Sequence, residues 1–268
     1  MNQILYLPKL SSLIDSHVNF GHDLLKNDVE RICQEALHEG IERMLCINSN
    51  LNDFKQDYEL IKGHNFIDIS VGHHPNSTGE IEAKEIPDLI SKYIENYTNR
   101  IVGNRGDRTR YHYKVPKIKQ IECFELHLDL ASKYQLPIIV HMRDAEKDMI
   151  DILTKFRSKL TNILIHCFTG SQNFANQCIE MDCYYSLSGI ITFKNADILR
   201  SVIKTLPFNR IIFETDSPYL TPDPFRGKTN EPKYLKTIIE KYSKIMSTDL
   251  ETIKKESTSN YKKLFQII

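Results

Sequence analysis

Short apolar runs alternate with amphipathic stretches along the chain. Runs at residues 14–20, 43–48, 66–72, 100–103, 137–141, 162–167, 183–189 and 210–213 have the length of strands, and several are apolar on both faces, as in a parallel sheet covered on both sides. Between them the period lengthens to that of a helix. Residues 28–39 put Val29, Ile32, Cys33, Ala36 and Leu37 on one face, and residues 117–134 bring Ile121, Phe124, Leu128 and Ala131 into phase. Further helices are predicted over 51–61, 80–97 (with Pro87 breaking the start), 144–156, 171–181 and 195–206, and two more close the chain over 231–246 and 248–265. Eight strands each followed by a helix is the arithmetic of an α/β fold of the (β/α)8 TIM-barrel type. No Gly/Ser linker, low-complexity tract or longer repeat divides the sequence, so a single domain is expected over residues 1–268.

A barrel gathers the C-terminal ends of its strands on one face, where α/β folds place their chemistry. The polar residues fall at those ends. The first run carries Asp15, His17 and Asn19; the third ends in His73-His74, the fifth in His141 and Arg143, the sixth in His166. The eighth stops abruptly in Glu214, Thr215 and Asp216 before Ser217-Pro218. Asp216 reads as a metal ligand or a general base, although a turn or helix cap explains a lone carboxylate there as well. Any one histidine after a strand also has an ordinary structural explanation. Together His17, His141, His166 and Asp216 can surround one point, and imidazole with carboxylate suits zinc, manganese, iron or another divalent ion.

Composition narrows the partners. Over 268 residues, Lys+Arg and Asp+Glu balance at 35 each, so no global field draws the protein to nucleic acid or an anionic membrane, and polyanion binding needs a local patch. Six cysteines without a CxxC pair point to reduced, mostly buried thiols, Cys167 beside His166 included. No apolar run is long enough to span a bilayer, and the N-terminus lacks the parts of a secretion signal, so the protein is expected in the cytoplasm, off the membrane, with no obligate protein partner evident.

The segments LPIIVHMRDA, ILIHCFTGS, SGIITFKNA and IIFETDSPYLTPDPFRGKTNEP resemble signature stretches of the TatD-type metal-dependent deoxyribonucleases, a branch of the amidohydrolase-like barrels, and the resemblance runs from residue 14 to about 242. It implies a cofactor of one or two divalent ions (Mg²⁺, Mn²⁺ or Zn²⁺) held by His141, His166 and Asp216 with help from His17. His74 and Arg143 would line the substrate and phosphate side, Glu214 would support the ligands from behind, and Arg226 with Asn230-Glu231-Pro232 would shape the loop after strand eight. DNA is the implied substrate, attacked at single-stranded 3′ ends, with Asp216 taking the proton of a metal-activated water.

Two departures stand out. Asn19 occupies the second position of the family's usual His-x-His pair, a change that some members share. Where the family writes Gly-Glu-x-Gly-Leu-Asp after strand four, with the Glu reaching both metals, this chain has Gly103-Asn104-Arg105-Gly106-Asp107-Arg108. An amide cannot bridge two cations as a carboxylate does, so one retained ion or a weaker site is expected, with Asp107 as a candidate substitute. The same stretch, expected as a loop, interleaves Arg105, Arg108, Arg110, His112 and Lys114 with Tyr111 and Tyr113, phosphate-neutralising charge mixed with rings for stacking. A plain solvated loop is the alternative. Two rival functions follow: a catalytically weakened nucleic-acid- or phosphate-binding barrel, and a small-molecule amidohydrolase, which apolar loops at the barrel mouth would favour.

Overall fold

The computed structural model describes residues 12–74, 80–97, 101–109 and 115–267, with residues 102 and 104–109 described through their backbone. Eight parallel strands follow one another around a sheet in sequence order: β1 (Leu13–Val18), β2 (Ile41–Cys46), β3 (Ile67–His73), β4 (Ile101–Thr109), β5 (Ile138–Arg143), β6 (Ile163–His166), β7 (Tyr184–Leu187) and β8 (Ile211–Phe213). The ring closes between its last and first members. Val18 bridges Ser217 in parallel, Asp216 N–H donates to His17 O at 3.0 Å, and Asn19 N–H donates to Ser217 O at 3.0 Å. The fold is the expected (β/α)8 barrel.

Helices α1 (Val29–His38), α2 (Phe54–Ile61), α3 (Ile86–Asn96), α4 (Lys117–Tyr134), α5 (Glu146–Phe156), α6 (Gln172–Glu180), α7 (Asp197–Ile203), α8 (Leu235–Met246) and α9 (Leu250–Leu264) complete the element order. Pro87 sits in the first turn of α3, where a missing N–H costs nothing, after a short 3₁₀ turn at Ala83–Glu85. Ser171 caps α6 by accepting from Phe174 N–H at 3.2 Å.

Alternation along the strands builds two cores. One set of side chains, among them Met44, Ile69, Val140, Ile165 and Phe213, packs outward beneath the helices. The other, Ile14, Leu45, Ile47, Ile139, Leu164, Tyr184 and Ile212, packs with Tyr261 and Leu264 of α9 and with Phe265 just after it. That helix is tied to the strands by polar groups: Asn260 donates to Ile211 O at 2.9 Å, Asn162 donates to Leu264 O at 2.9 Å, and the Tyr261 hydroxyl donates to Asp68, which also pairs with Arg43 at 2.7 Å.

One boundary corrects the sequence reading. Asn104, Arg105, Asp107 and Arg108 were expected in a loop after strand four, yet they lie within β4. Asn104 and Arg105 pair with Val71 and Gly72 of β3 on one side and with β5 on the other, Asp107 and Arg108 pair with β5, and this ladder bonding overrides their polar composition. Asn104 is in register with Ile138, and Asp107 with His141. The rest of the Arg/Tyr stretch, Arg110, Tyr111, His112, Tyr113 and Lys114, lies outside the described residues. Among the described residues no helix is long and apolar enough to cross a membrane, no disulfide forms, and every cysteine but Cys167 is buried.

Candidate metal centre

Apolar strand interiors force the polar residues to the ends, and those ends converge. The His17 and His166 rings stack with centroids 4.1 Å apart at 12°. The His141 ring lies 5.0 Å from that of His166, and the His74 ring 5.3 Å from that of His141. Asp216 closes the circle, with Oδ1 3.5 Å from His17 Nε2. Its backbone is left-handed, φ 55°, which turns the chain off the line of β8, and Asn19 donates through Nδ2 to its carboxylate at 3.3 Å and to Ser217 O at 2.8 Å.

The donor set fits a divalent cation. His141 Nδ1 and His166 Nε2 lie 2.8 Å apart, close to the roughly 3.0–3.4 Å that separates two nitrogens sharing an ion at ~2.1 Å each. Behind His166, Glu214 is fully buried. Its Oε1 accepts from His166 Nδ1 at 3.2 Å and its Oε2 accepts from the Ser186 hydroxyl at 2.6 Å. That arrangement holds the His166 proton on Nδ1 and turns Nε2 inward, the carboxylate–histidine brace common behind metal ligands. His17, His166 and Glu214 also offer one donor atom each within 4.8 Å of one another. Because both Glu214 oxygens have buried donors, the brace accounts for it better than direct ligation.

A second buried carboxylate ties the scaffold. Asp15 accepts from Thr215 N–H at 2.9 Å, from the Thr215 hydroxyl at 2.6 Å and from His17 N–H at 3.2 Å, locking the end of β1 to the turn after β8. Burial pushes its pKa up to about 7 against those hydrogen bonds. Asn230, also fully buried, donates to Thr215 O at 2.8 Å. Beside it, Glu231 is clamped by Arg31 at 2.9 Å and Lys233 at 2.7 Å. Asn230 and Glu231 thus hold the loop after β8 against its surroundings. Asp15 and Ser186 carry no role in the sequence reading. A carboxylate inside an apolar strand was the available signal for the first; none marked the second.

The centre opens into a cavity of about 950 Å³, lined among others by Asn19, His74, His141, Arg143, His166 and Asp216. Arg143 is exposed at the end of β5. Arg226 is not among the lining residues: its guanidinium donates to Thr221 O at 2.9 Å and lies 4.0 Å over the Phe193 ring, bracing the loop. The side chains of Asn104, Arg105 and Arg108 and all of Tyr111 lie outside the described residues. Cys167 lines the cavity too, and desolvation together with the neighbouring Glu214 and Asp216 carboxylates raises its thiol well above the usual range, which disfavours the thiolate.

The profile of the TatD related DNase family matches residues 14–266, reaching through α9. The chain belongs to that family. It is 34% identical over 256 residues to the uncharacterized metal-dependent hydrolase YabD of Bacillus subtilis, covering 95% of this chain and 99% of the relative. It is 29% identical to the uncharacterized metal-dependent hydrolase YcfH of Escherichia coli, covering 95% and 96%. The crystal structure of YJJV, a TatD homolog from Escherichia coli, superposes with a TM-score of 0.90 at 21% identity, covering 97% of this chain and all of that one. Members of this family are metal-dependent hydrolases, and the imidazole–carboxylate cluster is the candidate metal centre of this chain.

Proposed function

We propose that this TatD-family protein hydrolyses phosphodiester bonds of DNA, acting on single-stranded 3′ ends, with a divalent ion held by His17, His141, His166 and Asp216. The observation that carries the proposal is the convergence of His141, His166 and the Asp216 carboxylate, with His17 stacked behind His166, on a cavity that Arg143 and His74 also line. A bound ion would polarise the phosphoryl oxygen and lower the pKa of water. The rest falls to the chain. Arg143 and His74 bind phosphate oxygens, and Asp216, oriented by Asn19, accepts the proton of the attacking water. Glu214 and Ser186 hold His166 in one tautomer, and Asp15 keeps β1 and the strand-eight turn in one piece.

The second reading, a phosphate-binding barrel with weakened catalysis, is favoured by Asn104 in place of the family's glutamate. One experiment separates the two: cleavage of a 5′-labelled single strand with Mg²⁺ or Mn²⁺ by wild type, Asp216→Asn and Asn104→Glu. Cleavage by wild type that falls by about 10²–10⁴ in Asp216→Asn supports the nuclease. An inert wild type that gains cleavage through Asn104→Glu supports the binding barrel. Full activity in Asp216→Asn refutes its assignment as ligand and base.

A further inference from the structure

Tyr219 is a large aromatic with 52% of its surface exposed, and it lines the cavity of the metal centre. Its position is set by the chain: Tyr219 N–H donates to Asp216 O at 3.0 Å, and Tyr219 O accepts from the buried Asn230 amide. Against it stands His22, edge to face, with centroids 5.3 Å apart at 84°. His22 is fixed in turn, because its N–H donates to Asn19 O at 3.0 Å and its Nδ1 accepts from Leu24 N–H at 3.1 Å. Two rings, hung from the two segments that carry Asn19 and Asp216, therefore form an aromatic corner at the cavity's edge. Asn50 and Gln56 line the same cavity and offer amides for a polar rim.

We infer that the His22–Tyr219 corner is a nucleobase-stacking subsite, which takes the unpaired base of the nucleotide whose phosphate lies at the metal centre. The inference rests on the reading of the protein as a DNA phosphodiesterase and adds where the strand is gripped. A flat, exposed ring stacks on any base, since every base has a π-face, and the base must be unpaired to reach it. Such a platform selects single-stranded over duplex substrate without sequence readout. It also explains a hydrophobic ring held exposed beside a polar site, where a solvated side chain would otherwise suffice.

The test is fluorescence anisotropy of the full chain, without added metal, with a 5′-fluorescein single-stranded tetranucleotide ending in thymidine or in an abasic residue. Wild type should bind the base-bearing strand on the order of tenfold more tightly, the effect of one lost base–aromatic stack. Tyr219→Leu should bring the ratio near one and Tyr219→Phe should keep it. Equal affinity of wild type for both strands, no binding of either, or an unchanged ratio in Tyr219→Leu overturns the inference. Cleavage of the same strands with Mn²⁺ is scored separately. Base preference in binding without cleavage sinks only the nuclease reading; cleavage without base preference sinks only the stacking subsite.

Discussion

Replacing Glu214 with glutamine asks whether this buried carboxylate braces a ligand or is one. Its two oxygens accept from His166 Nδ1 and from the Ser186 hydroxyl, and Ser186 Oγ also accepts from Cys167 N–H at 3.0 Å. Glutamine has nearly the same shape but one acceptor atom fewer. If its oxygen keeps the His166 proton, its amide faces Ser186 Oγ, and the serine hydroxyl loses its acceptor in a fully buried place, a cost of about 1–3 kcal/mol. Loss of the negative charge also lowers the basicity of His166 as a ligand, and losing such a partner typically weakens metal binding ~10–100-fold. Calorimetric titration of Mn²⁺ into metal-stripped wild type and Glu214→Gln measures this directly, with thermal melting as a check on folding. A weakening of that size with a melting point lower by a few degrees is expected. Unchanged affinity would refute the brace, and a loss far beyond ~100-fold would make Glu214 a direct ligand.

Three further outcomes are expected. Gly189 packs so tightly on the strand-eight loop that a Cβ would overlap the Leu220 carbonyl oxygen, backbone against backbone; Gly189→Ala should cost roughly 1–3 kcal/mol in urea denaturation and reduce any cleavage, and full stability would refute the close approach. Asp57, beside Gly21 and hydrogen-bonded by Asn48 at 2.8 Å, has its pKa pushed up to about 6 by burial. Since the folded protein holds this proton more tightly, its stabilising contribution is full below about pH 4 and is lost as pH rises through about 6, roughly 3 kcal/mol in all. Stability against pH should flatten over that range in Asp57→Asn, and an unchanged curve would sink the assignment. Arg143→Ala should raise KM for a single-stranded oligonucleotide by about tenfold or more while leaving the melting point alone, because in the proposed reaction this exposed side chain would meet phosphate and it is no part of the core.

Much of the architecture was legible along the chain because it rests on local patterns. The period of two or of 3.6 fixed which segments are strands and helices, and α4 runs over the predicted residues 117–134. Barrel topology then follows from alternation alone, and with it the convergence of His17, His141, His166 and Asp216, since strand C-termini in a barrel share a face. Polar-rich β4 misled the local pattern: charged residues read as loop, but pairing with β3 and β5 made them strand. Such pairing is non-local, so no window of sequence contains it.

Beyond Glu214, which the family resemblance had already set behind the ligands, tertiary structure alone decided the supporting groups. Ser186 and Glu214 lie 28 positions apart in sequence, and Asp15 and Thr215 lie 200 apart. Pairing of β7 with β8 brings the first two within hydrogen-bonding distance, and closure of the ring between β8 and β1 brings the second two. The same holds for the contacts of Arg226, whose guanidinium donates to Thr221 O and lies over the Phe193 ring, and for the His22–Tyr219 corner, built from rings 197 residues apart. Residue type and spacing determined which chemistry this chain can hold. Which side chain performs each part depended on distances across the ring, because hydrogen bonds and ion pairs act over a few ångströms and the chain order does not record them.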